Sequence, residues 1–245
     1  MNKILTSTLP RLLLAMVLLM PTTLAAQEAE QSQLDFANGL FSRSFYKDAA
    51  VEYNTYLTKY PEGKERETAL YRLGESQYAE KNFKDALEAF NQVRKQFPTG
   101  TYTVRSKLRE GASHYRLGQL NKARPILKAV ANQETDQQIK GEALYYLGKL
   151  NTDAKQWDAA TKAYERLSNE APNSAFAPFG QYQLAAVYVG QGKLEKAALI
   201  FITIGDDLDS RIADAAVVRY GIGRHGQLGW TAAELLAGTN TRPRP

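Results

Sequence analysis

Thr68-Ala69-Leu70-Tyr71-Arg72-Leu73-Gly74-Glu75-Ser76-Gln77-Tyr78, then Phe83-Lys84-Asp85-Ala86-Leu87-Glu88-Ala89-Phe90-Asn91-Gln92-Val93, then Phe97-Pro98, is the stretch that decides the fold. Leu70, Leu73 and the pair Gln77-Tyr78 follow three-to-four spacing, as do Phe83, Ala86, Phe90 and Val93. Each half therefore predicts an amphipathic helix. The polar break Glu80-Lys81-Asn82 is too short for anything but an antiparallel return, and Pro98 closes the unit because proline cannot continue a helix. The same pattern recurs along the chain. Ala49, Ala86, Ala123, Ala160 and Ala197 stand 37 residues apart; each is followed four residues later by Tyr53, Phe90, Leu127, Tyr164 or Phe201. Three residues before each alanine stands Tyr46, Phe83, Leu120, Trp157 or Leu194. A fixed period of this size marks stacked supersecondary units.

Small residues recur twelve positions before each alanine, at Ala37, Gly74, Gly111, Gly148 and Ala185. They are expected to let the two helix backbones of a unit approach, with the flanking aromatics filling the space on either side. Pro61, Pro98 and Pro172 share the period. A last, incomplete unit carries Gly221, Trp230 and Ala233, with Ala233 at a spacing of 36 from Ala197 and only Thr231–Ala237 for its second helix. No polar capping helix follows, as a repeat stack normally requires. Either a partner or a second copy is expected to cover the face this leaves open, or the sequence is a piece of a longer array, the reading slightly favoured; residues 239–245 are expected to be a disordered tail.

These residues resemble the tetratricopeptide repeat: a Leu-Gly pair, an aromatic, an alanine, a second aromatic and a proline. The match runs over about residues 33–238, roughly five and a half hairpins. The period exceeds the usual ~34 by about three residues, placed after the proline. Such lengthened units are similar to those of bacterial envelope proteins of the Tol-Pal-associated and outer-membrane-assembly types. The resemblance implies an all-α, right-handed α-solenoid whose first helices line a concave surface.

Residues 1–26 read differently. Lys3 and Arg11 precede the apolar run Leu12–Met20, and Ala25-Ala26 ends the segment on small side chains. That is the layout of a cleaved secretory signal peptide, and the run is shorter than the roughly 20 residues a membrane span needs. No later run is long enough either. The sequence contains no cysteine, so lipidation, disulfides and thiolate metal sites are excluded. Removing the leader takes two of 31 basic residues and none of 26 acids, leaving 29 minus 26, or +3. The signs are mixed, without the basic face that nucleic-acid binding requires. A periplasmic location is expected, with no nucleic-acid partner, no integral span after cleavage and no lipid anchor.

Three patterns touch on chemistry. Gly221-Ile222-Gly223-Arg224-His225-Gly226 spells a phosphate-cradling loop, but it falls inside a helical repeat and not between a strand and a helix. Glu110 and His114 share a helix face, yet a metal site needs three or four ligands. Asp206, Asp207 and Asp209 cluster at a unit boundary, as helix-capping and turn residues do. No enzyme, cofactor or metal is expected.

The binding surface is expected on the first helices. Positions seven apart, two helical turns, share a face: Leu34/Phe41, Tyr71/Tyr78, Leu108/Tyr115, Tyr145/Thr152 and Tyr182/Val189. The candidate groove is Phe41, Tyr71, Tyr78, Tyr115, Tyr145 and Tyr182, with Arg105, Arg116 and Lys149 adding positive charge. About half of these rings are expected to serve partly as core, since repeats bury much of their surface against neighbours. Tyrosine suits recognition because it joins a large apolar area to a polar tip. The expected partner is a protein or peptide of the envelope. The alternatives are recognition of peptidoglycan or another glycan by the same rings, or a fragment whose further domains lie elsewhere.

Overall fold

The computed structural model describes residues 27–207, all of them in helices or the short connections between helices. The helices are α1 (27–42), α2 (Tyr46–Lys59), α3 (Arg66–Ala79), α4 (Phe83–Gln96), α5 (Thr103–Arg116), α6 (Leu120–Gln133), α7 (Gln137–Asp153), α8 (Trp157–Glu170), α9 (Ala177–Gly190) and α10 (Leu194–Asp207). They form five hairpins, each a first helix followed by a second. The second helices, α2, α4, α6, α8 and α10, all span 14 residues and begin at the period of 37. The leader at 1–26, the partial unit at Gly221, Trp230 and Ala233, and the tail lie outside the described residues.

Between Ser106 and Lys107 the chain divides into two compact units. In the first, α2 packs on α3 and α3 on α4. In the second, contacts join α6 to α7, α7 to α8, α8 to α9 and α9 to α10, and α7 also touches α9, the first helix of the next hairpin.

One turn is used five times. Ser44, Lys81, Gly118, Lys155 and Gly192, again 37 apart, all have positive φ between 55° and 72°. Around each the chain closes in the same way. In the second hairpin, for example, Lys81 N–H donates to Tyr78 O at 3.0 Å and Asn82 N–H to Gln77 O at 2.8 Å. These bonds satisfy the last carbonyls of the first helix and reverse the chain within three residues. Only glycine adopts this conformation without penalty. At Ser44, Lys81 and Lys155 it is held against a conformational cost.

The other connection is longer, six residues at 60–65, 97–102 and 171–176. Between α6 and α7 it shrinks to three, because Thr135 stands where the others carry proline. Asp136 then caps α7, its carboxylate accepting from the N–H groups of Gln138 and Ile139. The added residues after the proline are thus loop in three hairpins and an early helical start in one.

Inside the hairpins the five key alanines are buried, Ala49, Ala86, Ala123 and Ala160 fully and Ala197 at 2% exposure. The small residues twelve positions earlier act differently from the expected backbone approach. A Cβ on Gly74 would lie 2.6 Å from Phe90 Cε1, and one on Gly111 would lie 2.8 Å from Leu127 Cδ2. At Gly148 it would fall within the Tyr164 ring. The bulky side chain of the second helix sits directly on bare backbone of the first. Backbone proximity is the consequence, and the seat for the side chain is the cause. Leu73 extends the core backwards, clustering with Tyr53 and Tyr56 of the preceding hairpin.

Two kinds of glycine should therefore respond differently. Gly148→Ala is expected to lower unfolding free energy by about 1–3 kcal/mol through overpacking on Tyr164. A Cβ added at Gly118 would meet nothing within 4 Å, so Gly118→Ala should cost about 1 kcal/mol from φ alone. Lys155→Gly should raise stability by up to about 1 kcal/mol by removing the strained φ. Urea denaturation of the three variants measures all of this; equal losses for both glycines would show that the seat is not tight.

Candidate functional site

The helical face read from the sequence exists in each unit with its own chemistry. In the first unit Tyr71 is only 6% exposed, stacked on Tyr102 at 4.4 Å and 12° and set against Phe90 at 5.9 Å. It is a core ring, and the stack comes from the loop after Pro98, which the face reading left out. Phe41 and Tyr78 are half-buried. Phe41 lies edge-on to Tyr46 at 5.3 Å, and the Arg72 guanidinium sits 4.7 Å from its centroid in cation–π geometry. Tyr78 lies edge-on to Phe83 at 5.2 Å. Arg105 is exposed.

The second unit gathers more. Tyr115 of α5 donates its hydroxyl to Asp153 Oδ2 at 2.6 Å and lies 5.7 Å from the Tyr146 ring of α7. Tyr145, beside it on α7, meets Tyr146 at 5.9 Å, Tyr164 at 6.5 Å and Phe176 at 5.3 Å. Tyr182 of α9 stands edge-on to Phe201 at 5.8 Å. Tyr115, Tyr145, Tyr182 and Lys149 are half-buried and Arg116 is exposed. Rings held on several sides in this way lose little freedom when a ligand lands on them.

Electrostatics ties these residues together. Burial pushes the Tyr115 hydroxyl well above its ordinary range, and the Asp153 carboxylate that accepts its hydrogen bond pushes it further, while Arg116 opposes. Tyr145 is also raised by burial and opposed by Arg116. Arg116 thus projects positive potential onto both rings. Tyr164, fully buried on Gly148, is raised by burial too, with Thr152 opposing, and its hydroxyl finds no partner at hydrogen-bonding geometry among the described residues. The equivalent Tyr53 is pushed up to about 12 by burial, but its hydroxyl donates to Asn38 Oδ1 at 2.7 Å.

Sequence reasoning missed several members. Tyr146 and Phe176 lie off the seven-residue face, and Asp153 ends α7 one residue past Thr152. Arg72 and Arg109, one period apart, would have been visible as a pair: Arg72 lies on Phe41, and Arg109 forms an ion pair with Glu142 of α7.

The chemical alternatives resolve locally. Glu110 and His114 are buried, at 9% and 8% exposure, and His114 Nδ1 donates to Gln119 Oε1 at 2.7 Å. Among the described residues, no group of three or more His, Cys, Asp or Glu side chains is placed to hold a metal. The glycine-rich stretch at 221–226 and the side chains of Asp206, Asp207 and Asp209 lie outside the described residues. No described helix is long and apolar enough to cross a membrane.

A repeated pair of antiparallel helices defines a helical repeat protein, a fold consistent with a protein-binding scaffold. A family model described as tetratricopeptide repeat-like domain matches residues 47–198, more than half of the chain, and the protein belongs to that family. Its fold class is the all-α solenoid of tetratricopeptide hairpins. Among solved structures it is similar to MamA (residues 41 to the end) from Desulfovibrio magneticus RS-1, with 17% identity and a TM-score of 0.59, covering 78% of this chain and 96% of that one. A tetratricopeptide repeat protein from Parabacteroides merdae ATCC 43184 gives 14% identity and a TM-score of 0.56, covering 79% and 69%. TTC0263, a thermophilic tetratricopeptide repeat protein from Thermus thermophilus, gives 19% and 0.55, covering 77% and 98%. No curated protein matches the chain.

The tyrosines make stability depend on alkaline pH in a defined direction. Unfolded tyrosines ionise near pH ~10. Tyr53, Tyr115, Tyr145 and Tyr164 are raised above that in the fold. Above about pH 10 the unfolded chain has lost protons that the folded chain keeps, so stability falls as pH rises. Their contribution is complete below pH ~10 and disappears as pH passes through the folded values. The melting temperature should be flat from about pH 7 to 9 and drop from about pH 10 to 12, with part of the tyrosinate absorbance appearing only on unfolding. Ionisation of all 14 tyrosines near pH ~10 in a still-folded protein would contradict the assigned burial.

Proposed function

We propose that this chain is an exported, non-catalytic scaffold that binds a protein or peptide partner in the periplasm, in cell-envelope assembly or division. The observation that carries the reading is the pair of half-buried, restrained rings Tyr115 and Tyr145, backed by the buried Tyr146 ring and set beside Arg116 and Asp153. Large rings supply apolar contact area, and their restraint lowers the entropic cost of binding. Arg116 and Lys149 favour an extended peptide or helix that offers apolar anchors next to acidic groups. The leader layout of residues 1–26 and the lack of cysteine support export without a lipid anchor.

Affinity capture from envelope extract, read by mass spectrometry, identifies the partner, and titration then tests the face. Tyr115→Ala and Tyr145→Ala are expected to weaken binding by roughly 2 kcal/mol or more where the ring is an anchor, with helical circular dichroism retained. Tyr71→Ala should instead lower stability by about 3–5 kcal/mol, as loss of a core ring does. Unchanged affinity in well-folded Tyr115 and Tyr145 variants would move the site off this face. Co-sedimentation with insoluble peptidoglycan, in the absence of any captured protein, would favour the glycan reading.

A further inference from the structure

Within each unit, a first helix that follows another hairpin has one face turned to its own hairpin and another, three positions per helix, turned to the hairpin before it. In α3 the latter are Ala69, Leu73 and Ser76; in α7, Ala143, Leu147 and Leu150; in α9, Gly180, Leu184 and Val187. All nine are buried. Contacts within each unit show against what: Leu73 clusters with Tyr53 and Tyr56, and Leu184 with Ala160 and Tyr164. In α1 the same positions are Ser32, Phe36 and Gly39. There Ser32 is exposed, Phe36 is 58% exposed, and a Cβ on Gly39 would meet nothing within 4 Å. A surface that is covered in α3, α7 and α9 is open in α1.

We propose that this face pairs with a second copy of the chain, the two α1 helices lying antiparallel about a two-fold axis between Asp35 and Phe36. The inference rests on removal of residues 1–26 as a leader. Its first support is self-complementarity. An axis at that point sets Ser32 of one copy opposite Gly39 of the other, so each Phe36 ring lies beside the axis with small residues on both flanks. Its second support is charge. The same axis sets Glu28 opposite Arg43 of the partner copy and Arg43 opposite its Glu28. Both residues are exposed and form no ion pair with a described residue. One register satisfies the small residues, the ring and both charge pairs, as an isologous interface requires. Two 16-residue helices bury less than a standard interface, so association is weak and concentration-dependent. The apolar ring supplies affinity and the charges set register.

Sedimentation velocity on the full-length gene product, recovered after export and measured over about 1–100 μM, tests this. A monomer–dimer equilibrium is expected. Phe36→Ser should weaken it at least ~10-fold without changing the thermal melt, since the ring is exposed. Glu28→Arg alone and Arg43→Glu alone should each be ~10-fold weaker, because like charges then face each other twice. Mixing those two variants should restore dimer, as each provides what the other lacks. A wild-type chain monomeric at about 100 μM overturns the proposal, as does a dimer indifferent to Phe36. A mixture that stays monomeric overturns the antiparallel register. The intact mass of the same sample reports separately on the leader: retention of residues 1–26 overturns the export reading, while the sedimentation series still decides the pairing.

Discussion

A bulky side chain seated on bare helix backbone is the contact from which the rest of this structure follows. Phe90 on Gly74, Leu127 on Gly111 and Tyr164 on Gly148 each lock the second helix of a hairpin to one height and one rotation on the first. Tyr53 with Ala37 and Phe201 with Ala185 share the corresponding clusters. A close-packed interior leaves no slack for a different register. Every hairpin therefore offers its neighbour the same outer face, and repetition of one local solution becomes an array.

The recurrent turn serves that contact. A three-residue reversal is short enough to bring the seat and the side chain together only if one residue takes positive φ. The chain meets this with glycine at 118 and 192 but with serine or lysine at 44, 81 and 155. The strain accepted there is small beside the burial of an aromatic side chain, which is worth about 1.5–3 kcal/mol or more. Where the other connection loses its proline, at Thr135, the freed residues extend α7 and Asp136 supplies the cap, so the period survives a change in local structure.

Helix number, hairpin pairing and the buried alanines were legible because they obey the period, and a period needs only residue identity to be seen. The seat was misassigned because small residues at a helix crossing look the same whether backbone or side chain fills the space. Tyr71 was legible as a first-helix face residue but not as core. Its burial depends on Tyr102 in a loop, and a loop's return path is not written in helical spacing. Tyr115 and Tyr145 lie half-buried on first helices. Their neighbours Tyr146, Phe176 and Asp153 come from other faces or helix ends that converge only in three dimensions.

What the period does not constrain is where the individuality of this protein resides. The seat positions hold Tyr, Phe, Leu, Tyr and Phe, all large and mostly interchangeable in kind. The central position of the first-helix face holds Asn38, Glu75, Ala112, Lys149 and Ala186, with no two adjacent repeats alike. That variation reaches inward. Asn38 accepts the Tyr53 hydroxyl, whereas the same place beside Tyr164 is taken by Lys149, an ammonium group that cannot accept. Thr152, one turn further along α7, acts on the Tyr164 hydroxyl instead and opposes the upward shift that burial causes. The same buried ring position thus meets different polar surroundings in the two hairpins, an acceptor from the first helix at Tyr53 and Thr152 at Tyr164.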